Sequence, residues 1–348
     1  MLAPECAIGR KLAGGDEKAP RYVIEDVRRR WSEWDLGPTP SKLTTVMLAG
    51  GQSPLNKVVL LAFSDDQREV GLAVKLPRVD EAERALEHES SALRAISRTA
   101  VPRHVEIPRV VASGRFADLL VVAETPVFGT PVLDLLDTRS FREIAFNLSD
   151  VLARWIPEQG LTDPMGYWDR VVEPVFERFT TRCHTVIEDW FVLALRQSMH
   201  ALPPLPLVPE HRDCSPWNVL VTSAGGFALL DWESAEPSGL PGLDLIYFLA
   251  NAAFYLDGTL GSGEELSTYR HLLSNHSPLA STFHRTMARY CQQTRIDPTV
   301  VQTLRAFTWM VHAPGECDRI AALDPRLDAA QSAHRSVLLS LWREEVDR

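Results

Sequence analysis

The stretch that decides the fold is Glu210–Glu233, EHRDCSPWNVLVTSAGGFALLDWE. It opens with His211-Arg212-Asp213 and places Asn218 five residues after that Asp. An apolar run (Val219–Val221), a turn at Ser223-Ala224-Gly225-Gly226 and a second apolar run (Phe227–Leu230) lead to Asp231-Trp232-Glu233. The two runs read as short strands joined by a tight turn. Two carboxylates and an amide then sit at strand ends. That arrangement sets one base and two hard-oxygen ligands around a phosphoryl group.

Outward toward the C-terminus the pattern is helical. Leu243–Leu256 is an apolar run interrupted by Asp244 and Asn251, too short to span a bilayer, and reads as a buried helix. Further helices are expected at about 263–274, 280–294, 298–312 and 329–346. Upstream, helices are expected at Phe141–Ile156, at Tyr167–Phe179 (broken by Pro174) and at Thr185–His200, followed by an extended, proline-rich Leu202–Pro209.

The first third of the chain differs. Tyr22–Trp34 has helical spacing; Leu43–Leu48, Val58–Phe63 and Glu69–Leu76 read as strands. Asp80–Ser97 reads as a strong helix with Asp80 as its N-cap. After a connector at Val101–Pro108, Arg109–Ser113 and Leu119–Ala123 read as two more strands turning at Gly114. A Pro/Gly-rich link, Glu124–Pro131, follows. The expected organisation is an N-terminal extension at 1–40, a β-rich lobe with one main helix at 41–124, and a larger, mainly helical lobe at 125–348.

Bulk properties bound the function. A chain of 348 residues suits two lobes. A net charge of −10 argues against nucleic acid and mildly favours a cationic small molecule. The five cysteines, Cys6, Cys183, Cys214, Cys291 and Cys317, are odd in number and widely spaced. They form neither a CxxC pair nor a zinc knuckle and fit a reducing, cytoplasmic setting. The N-terminus has no apolar segment of signal-peptide length. Neither a membrane nor a nucleic acid is an expected partner, and the chain is expected to be a monomer or homodimer. All five lysines (11, 18, 42, 57 and 75) precede residue 76, against 31 arginines, which makes each lysine more informative than usual.

A glycine loop between two strands, a lysine on the third strand, a helix with glutamates, two strands, a link, helices, then HRD-xxxx-N and a later Asp together resemble the protein-kinase-like fold. Over roughly residues 43–312 the closer resemblance is to its aminoglycoside phosphotransferase and choline kinase branch. DWE in place of DFG, the helical tail and the lack of an APE triplet after Asp231 favour that branch. The resemblance implies an α+β, bilobal fold and an ATP- or GTP-dependent phosphotransferase using Mg²⁺. Its acceptor would be a hydroxyl of a small polar molecule such as an aminoglycoside, a sugar or an amino alcohol.

Residue by residue, the resemblance implies the following. Asp213 is the catalytic Asp that orients the attacking hydroxyl; Asn218 and Asp231 are the Mg²⁺ ligands. Lys75, in the Ala-Val-Lys triplet, holds the α/β-phosphates. Its partner is Glu89, with Glu83 as the alternative. Gly50-Gly51-Gln52-Ser53 takes the place of the phosphate-covering loop, with Ser53 as a candidate contact, though adjacent glycines also make a plain hairpin turn. Backbone near Glu124 and Val127 would read the purine edge. Asp244 braces the catalytic loop. Glu233 and Glu236 face substrate, hold backbone or lie in a solvated loop. Arg212 departs from the Gly usual in this branch. Within the same fold the alternative is a protein kinase; outside enzymes it is a catalytically silent binding protein.

Overall fold

The structure is a computed structural model and describes residues 23–50, 56–64, 69–116, 118–156, 167–274 and 277–348. Within these the chain divides into two compact units. One holds the described residues through Arg98 together with Ile107–Val127; the other holds Thr99–Glu106 and Phe128–Arg348.

The first unit begins with α1, Val23–Arg29. Then come β1 (Leu43–Leu48), β2 (Val58–Ser64) and β3 (Leu72–Leu76). The main helix, α2 (Asp80–Ile96), follows. Its N-cap position is Val79, with no side-chain cap; Asp80 is the first helical residue and sits with Glu81 and Glu83 at the positive end of the helix dipole. After β4 (Val105–Glu106), which belongs to the second unit, the first unit resumes with β5 (Val110–Phe116) and β6 (Leu119–Glu124). Gly114 lies inside β5 rather than at the turn; the reversal falls farther on, where Asp118 has φ +65°. The five-stranded sheet has the order β1-β2-β3-β6-β5, and every neighbouring pair is antiparallel.

The two sheet faces differ because strand side chains alternate. Val58, Leu60, Ala62, Leu72, Val74, Leu76 and Ala123 form one buried cluster, and Val23, Val27 and Trp31 close it. The described part of the N-terminal extension is thus the cover of this sheet face. The indole of Trp31 lies so near Gly71 that an added Cβ there would fall 3.1 Å from it. On the other face, Leu86 of α2 packs with Leu120 and Val122.

The second unit contains β7 (Thr130–Pro131), α3 (Val132–Leu135) and α4 (Ser140–Ala153). A π-helical turn, Trp168–Val172, leads into α5 (Glu173–Cys183). Pro174 begins that helix rather than breaking one: lacking an N–H, it cannot continue the α ladder backwards, and the preceding turn widens. Then come α6 (Asp189–His200), β8 (Val208–Glu210), β9 (Val219–Val221), β10 (Phe227–Leu229) and β11 (Glu236–Gly239). The remainder is helical: α7 (Leu243–Leu256), α8 (Glu265–Leu273), α9 (Pro278–Thr294), α10 (Val301–Leu323), α11 (Ala329–His334) and α12 (Val337–Val346).

The expectation for 298–312 is exceeded. A 3₁₀ turn at Pro298–Val300 is followed by α10, which runs through Pro314. Burial of Met310, Ala313, Pro314 and Cys317 outweighs the one backbone hydrogen bond that Pro314 removes. The single helix expected at 329–346 is two, because Ser336 accepts the Leu339 N–H at 3.0 Å and caps a new start. The Val101–Pro108 connector contains β4, which pairs in parallel with β10 and completes a β4-β10-β9-β7 sheet. An added Cβ on Gly226 would lie 2.5 Å from the His104 carbonyl oxygen, so only glycine lets that strand approach. β11 pairs with β8 and was unmarked in the sequence.

Candidate active site

In the second unit the loop between β8 and β9 folds on itself. The Ser215 N–H donates to the Asp213 carbonyl at 2.8 Å and the Asn218 N–H to that of Ser215 at 2.9 Å. Asn218 Nδ2 donates to both the Asp213 carbonyl (3.0 Å) and Asp213 Oδ2 (2.7 Å). The Leu230 N–H donates to the Asn218 carbonyl at 2.9 Å, which brings the end of β10, and with it Asp231, to this loop. Asp213, Asn218 and Asp231 are therefore assembled at one end of the β9–β10 hairpin.

Asp244, at the start of α7, holds the loop from below. It accepts the backbone N–H groups of His211 (2.7 Å) and Arg212 (2.9 Å). His211 is buried; its Nε2 lies 2.7 Å from the Leu230 carbonyl and its ring meets Trp232 edge-on at 4.6 Å. That is a packing role. Arg212 has φ +57°, and its Nε donates to Glu210 Oε2 at 2.8 Å. Glu210 is fully buried and also accepts the Leu240 N–H at 3.0 Å. Glu236 accepts from Ser238 N–H at 3.0 Å, so it holds backbone.

Burial raises the Asp213 carboxyl to about 7, and the charge of Asp231 adds to the rise. Arg319 of α10 and the Asn218 hydrogen bond pull it back, while Glu233 pushes it up. Arg319 and Glu233 thus belong to the electrostatic surroundings of Asp213. Burial likewise raises Asp244 to about 7, with the Glu210 charge next in effect.

The fit of this loop to Mg²⁺ follows from its donors. Asn218 commits Nδ2 to Asp213, which leaves Oδ1, a hard oxygen. Two carboxylates repel each other beside it, and a small divalent cation relieves that repulsion. Among the described residues no group of three or more His, Cys, Asp or Glu side chains could hold a metal by itself. One amide oxygen and one carboxylate fit Mg²⁺, which is held by one or two protein oxygens plus substrate phosphates.

In the first unit, Lys75 of β3 lies 2.6 Å from Glu89 Oε1 and 2.7 Å from Glu124 Oε2. Lys57, just before β2, lies 2.7 Å from Glu89 Oε2. Glu83 turns instead to Arg115. Burial alone would raise the Glu89 carboxyl, but the charges of Lys75 and Lys57 and their hydrogen bonds hold it down at about 2. Glu124 moves the other way: burial raises it, and Lys75 only partly offsets this. The Glu124 backbone lies in the ladder, opposite Ala73 and Val110. Val127 is half-buried at the end of the unit. Ser53, Gly51 and Gln52 lie outside the described residues, as do Cys6 and the first 22 positions. Lys57 was missed; β-strand parity was the signal, since Lys57 and Val59 share a face and Val59 pairs with Lys75.

Among the described residues no helix is long and apolar enough to cross a membrane. Cys183, Cys214, Cys291 and Cys317 are free and buried.

A comparison with curated protein sequences gives no significant match. Solved structures do match. A thermostable mutant of aminoglycoside phosphotransferase APH(4)-Ia, in ternary complex with ADP and hygromycin B, is similar at 14% identity and TM-score 0.53, over 92% of this chain and 98% of that one. A ternary complex of another mutant with AMP-PNP and hygromycin B is similar at 15% identity and TM-score 0.52, over 91% and 98%. A choline/ethanolamine kinase family protein from Mesorhizobium loti follows at 14% identity and TM-score 0.46, over 93% and 98%. The likeness to the two aminoglycoside phosphotransferase structures shows the protein-kinase-like fold. The profile described as APH, phosphotransferase enzyme family, matches residues 48–273. With most of its length so matched, the chain belongs to the aminoglycoside phosphotransferase (APH) phosphotransferase enzyme family.

Proposed function

We propose that the chain is a small-molecule kinase that moves the γ-phosphoryl of ATP or GTP to a hydroxyl of a small polar acceptor. The observation that carries this reading is the Asn218 Nδ2 to Asp213 Oδ2 bond at 2.7 Å, on a loop that Asp244 fixes from beneath. Asp213 accepts and aligns the acceptor O–H; in a loose transition state such positioning matters more than base strength. Lys75, steadied by Glu89, holds the α/β-phosphates, and backbone near Glu124 and Val127 reads the purine edge. Mg²⁺, held by Asn218 Oδ1 and Asp231, would neutralise charge on the phosphates when bound.

Family and charge support one class of acceptor. Relatives of this fold were solved with hygromycin B, and a net charge of −10 attracts cations. An aminoglycoside, an aminosugar or an amino alcohol is the acceptor we infer. A protein-kinase reading has little support, because residues 232–242 already hold β11 and the turn into α7 and leave no room for an activation segment. The test is a screen of hydroxylated small molecules for nucleoside-diphosphate release by wild type and Asp213→Ala. Release that depends on one acceptor class and disappears in Asp213→Ala is expected. Acceptor-dependent release that survives in Asp213→Ala would overturn the assignment.

A further inference from the structure

We propose that Lys57 is a second phosphate-binding lysine, which with Lys75 forms a two-pronged cation clamp on the phosphates of a bound nucleotide. This rests on the kinase reading above and adds a residue to it. The geometry comes from one carboxylate. Glu89 is completely buried and splits its two oxygens, Oε1 to Lys75 at 2.6 Å and Oε2 to Lys57 at 2.7 Å. Both ammonium groups therefore converge on one point at the α2 side of the sheet.

Sheet register puts them on one face. Val59 and Val122 pair with Lys75, and Ala73 pairs with Glu124. Lys57, two residues before Val59, follows the same parity. This face carries the half-buried apolar residues Val59, Leu61 and Ala73 beside the lysines, whereas the opposite face is sealed by α1 and Trp31. An apolar patch next to two cations is what a nucleotide's base and phosphates require.

Charge points the same way. One lysine is enough to position Glu89, and one glutamate is enough to position Lys75. A second ammonium on the same carboxylate adds like-charge repulsion at short range in a poorly solvated place. Glu124, 2.7 Å from Lys75, offsets part of this. Neither lysine is fully sealed, their side chains being 13% and 10% exposed, so a polyphosphate can reach both ammonium groups. The residue type fits too: in a chain that otherwise uses arginine, a compact ammonium on a flexible stem can shift from carboxylate to phosphate without giving up a planar fork.

The experiment is calorimetric titration of the full chain with adenosine, ADP and ATP, and with guanosine, GDP and GTP. Wild type, Lys57→Met, Lys57→Arg and Lys75→Met are compared, each first checked for a wild-type circular-dichroism spectrum. Loss of one charge-assisted contact predicts about tenfold weaker binding of the di- and triphosphates to Lys57→Met. Nucleoside affinity should be unchanged, the salt dependence of ATP binding shallower, and Lys57→Arg should recover most of the loss. Equal weakening of nucleoside and nucleotide would make Lys57 a support of Glu89 only and overturn the clamp. Unchanged nucleotide binding in Lys57→Met beside weakened binding in Lys75→Met would overturn the clamp and leave the kinase reading intact. A wild-type chain that binds neither ATP nor GTP would overturn that reading and the clamp with it.

Discussion

Asp244 Oδ1 accepts the backbone N–H of Arg212 at 2.9 Å, at a residue whose φ of +57° is uncommon for a side chain of that size. Oδ2 takes the N–H of His211 at 2.7 Å. One buried carboxylate thus satisfies two successive loop donors and fixes the direction in which Asp213 leaves the loop. In Asp244→Ala both donors are orphaned, and each buried unsatisfied group costs about 1–3 kcal/mol. The variant should unfold at markedly lower urea and lose at least tenfold in kcat, with nucleotide KM little changed; this tenfold equals about 1.4 kcal/mol of transition-state stabilisation. Asp244→Asn, which keeps one acceptor, should fall between. A wild-type urea midpoint in Asp244→Ala would show that the loop is held by something else.

Arg212 stands where the resemblance implies glycine, and two effects of Arg212→Gly oppose each other. Glycine relieves the positive φ, worth about 1 kcal/mol. It also strips the fully buried Glu210 of its 2.8 Å partner, and breaking a buried pair from one side costs about 3–5 kcal/mol. The second effect wins, so Arg212→Gly should destabilise. Adding Glu210→Gln, which removes the stranded charge, should recover most of the loss. Chemical denaturation of the two single variants and the double variant measures the coupling; strict additivity would contradict the argument.

Acid should loosen the first unit through Glu89. Its carboxyl titrates near 2 when folded, held down against burial by Lys75 and Lys57, and near the ordinary value of 4.5 when unfolded. A depressed folded pKa contributes stability that is fully present above 4.5 and is lost as pH falls from there toward about 2. The shift corresponds to about 3 kcal/mol. Glu89→Gln should therefore be less stable than wild type at pH 7, and the gap should narrow steadily below pH 4.5. Amide exchange along β3, followed from pH 6 to pH 3, reads this directly. A gap that stays constant across the range would mean that Glu89 is not the titrating group.

Much of this molecule was legible because its signals are local. HRD-xxxx-N and the later Asp lie within one loop and one hairpin, and spacing alone places Asp213, Asn218 and Asp231 together. Lys75 and Glu89 were legible through the resemblance, which matches the Ala-Val-Lys triplet and a glutamate of the following helix. What was not legible depends on distant partners. β4 and β11 are too short to show a period, and they exist because β10 and β8 offer them an edge. Helix α10 passes Pro314 because packing outweighs a local stop signal. Glu210 carries no local signal of burial, and its place is set by Arg212, which pairs with it, and by the Leu240 N–H. Lys57 was given no role in the sequence because its counter-charge lies on a helix 32 residues away.

The C-terminal helix is fastened by a similar buried charge, and it gives the sharpest stability test. Glu345 of α12 accepts from Tyr269 Oη at 2.5 Å and from Arg305 Nε and a second guanidinium nitrogen at 2.8 and 3.1 Å. Trp309 Nε1 in turn donates to Tyr269 Oη at 3.0 Å. Glu345 is fully enclosed and Arg305 nearly so. In Glu345→Ala the guanidinium stays buried without its counter-ion, and about 3–5 kcal/mol of destabilisation is expected. Tyr269→Phe removes two hydrogen bonds, the one to Glu345 and the one from Trp309, and should cost about 2–3 kcal/mol. The pair itself need contribute little net stability, because its attraction offsets the desolvation of both ions. Replacing both charges, Glu345→Leu with Arg305→Met, should therefore bring the denaturation midpoint back close to wild type. A double variant as unstable as Glu345→Ala would show that the pair supplies stability that apolar packing cannot replace.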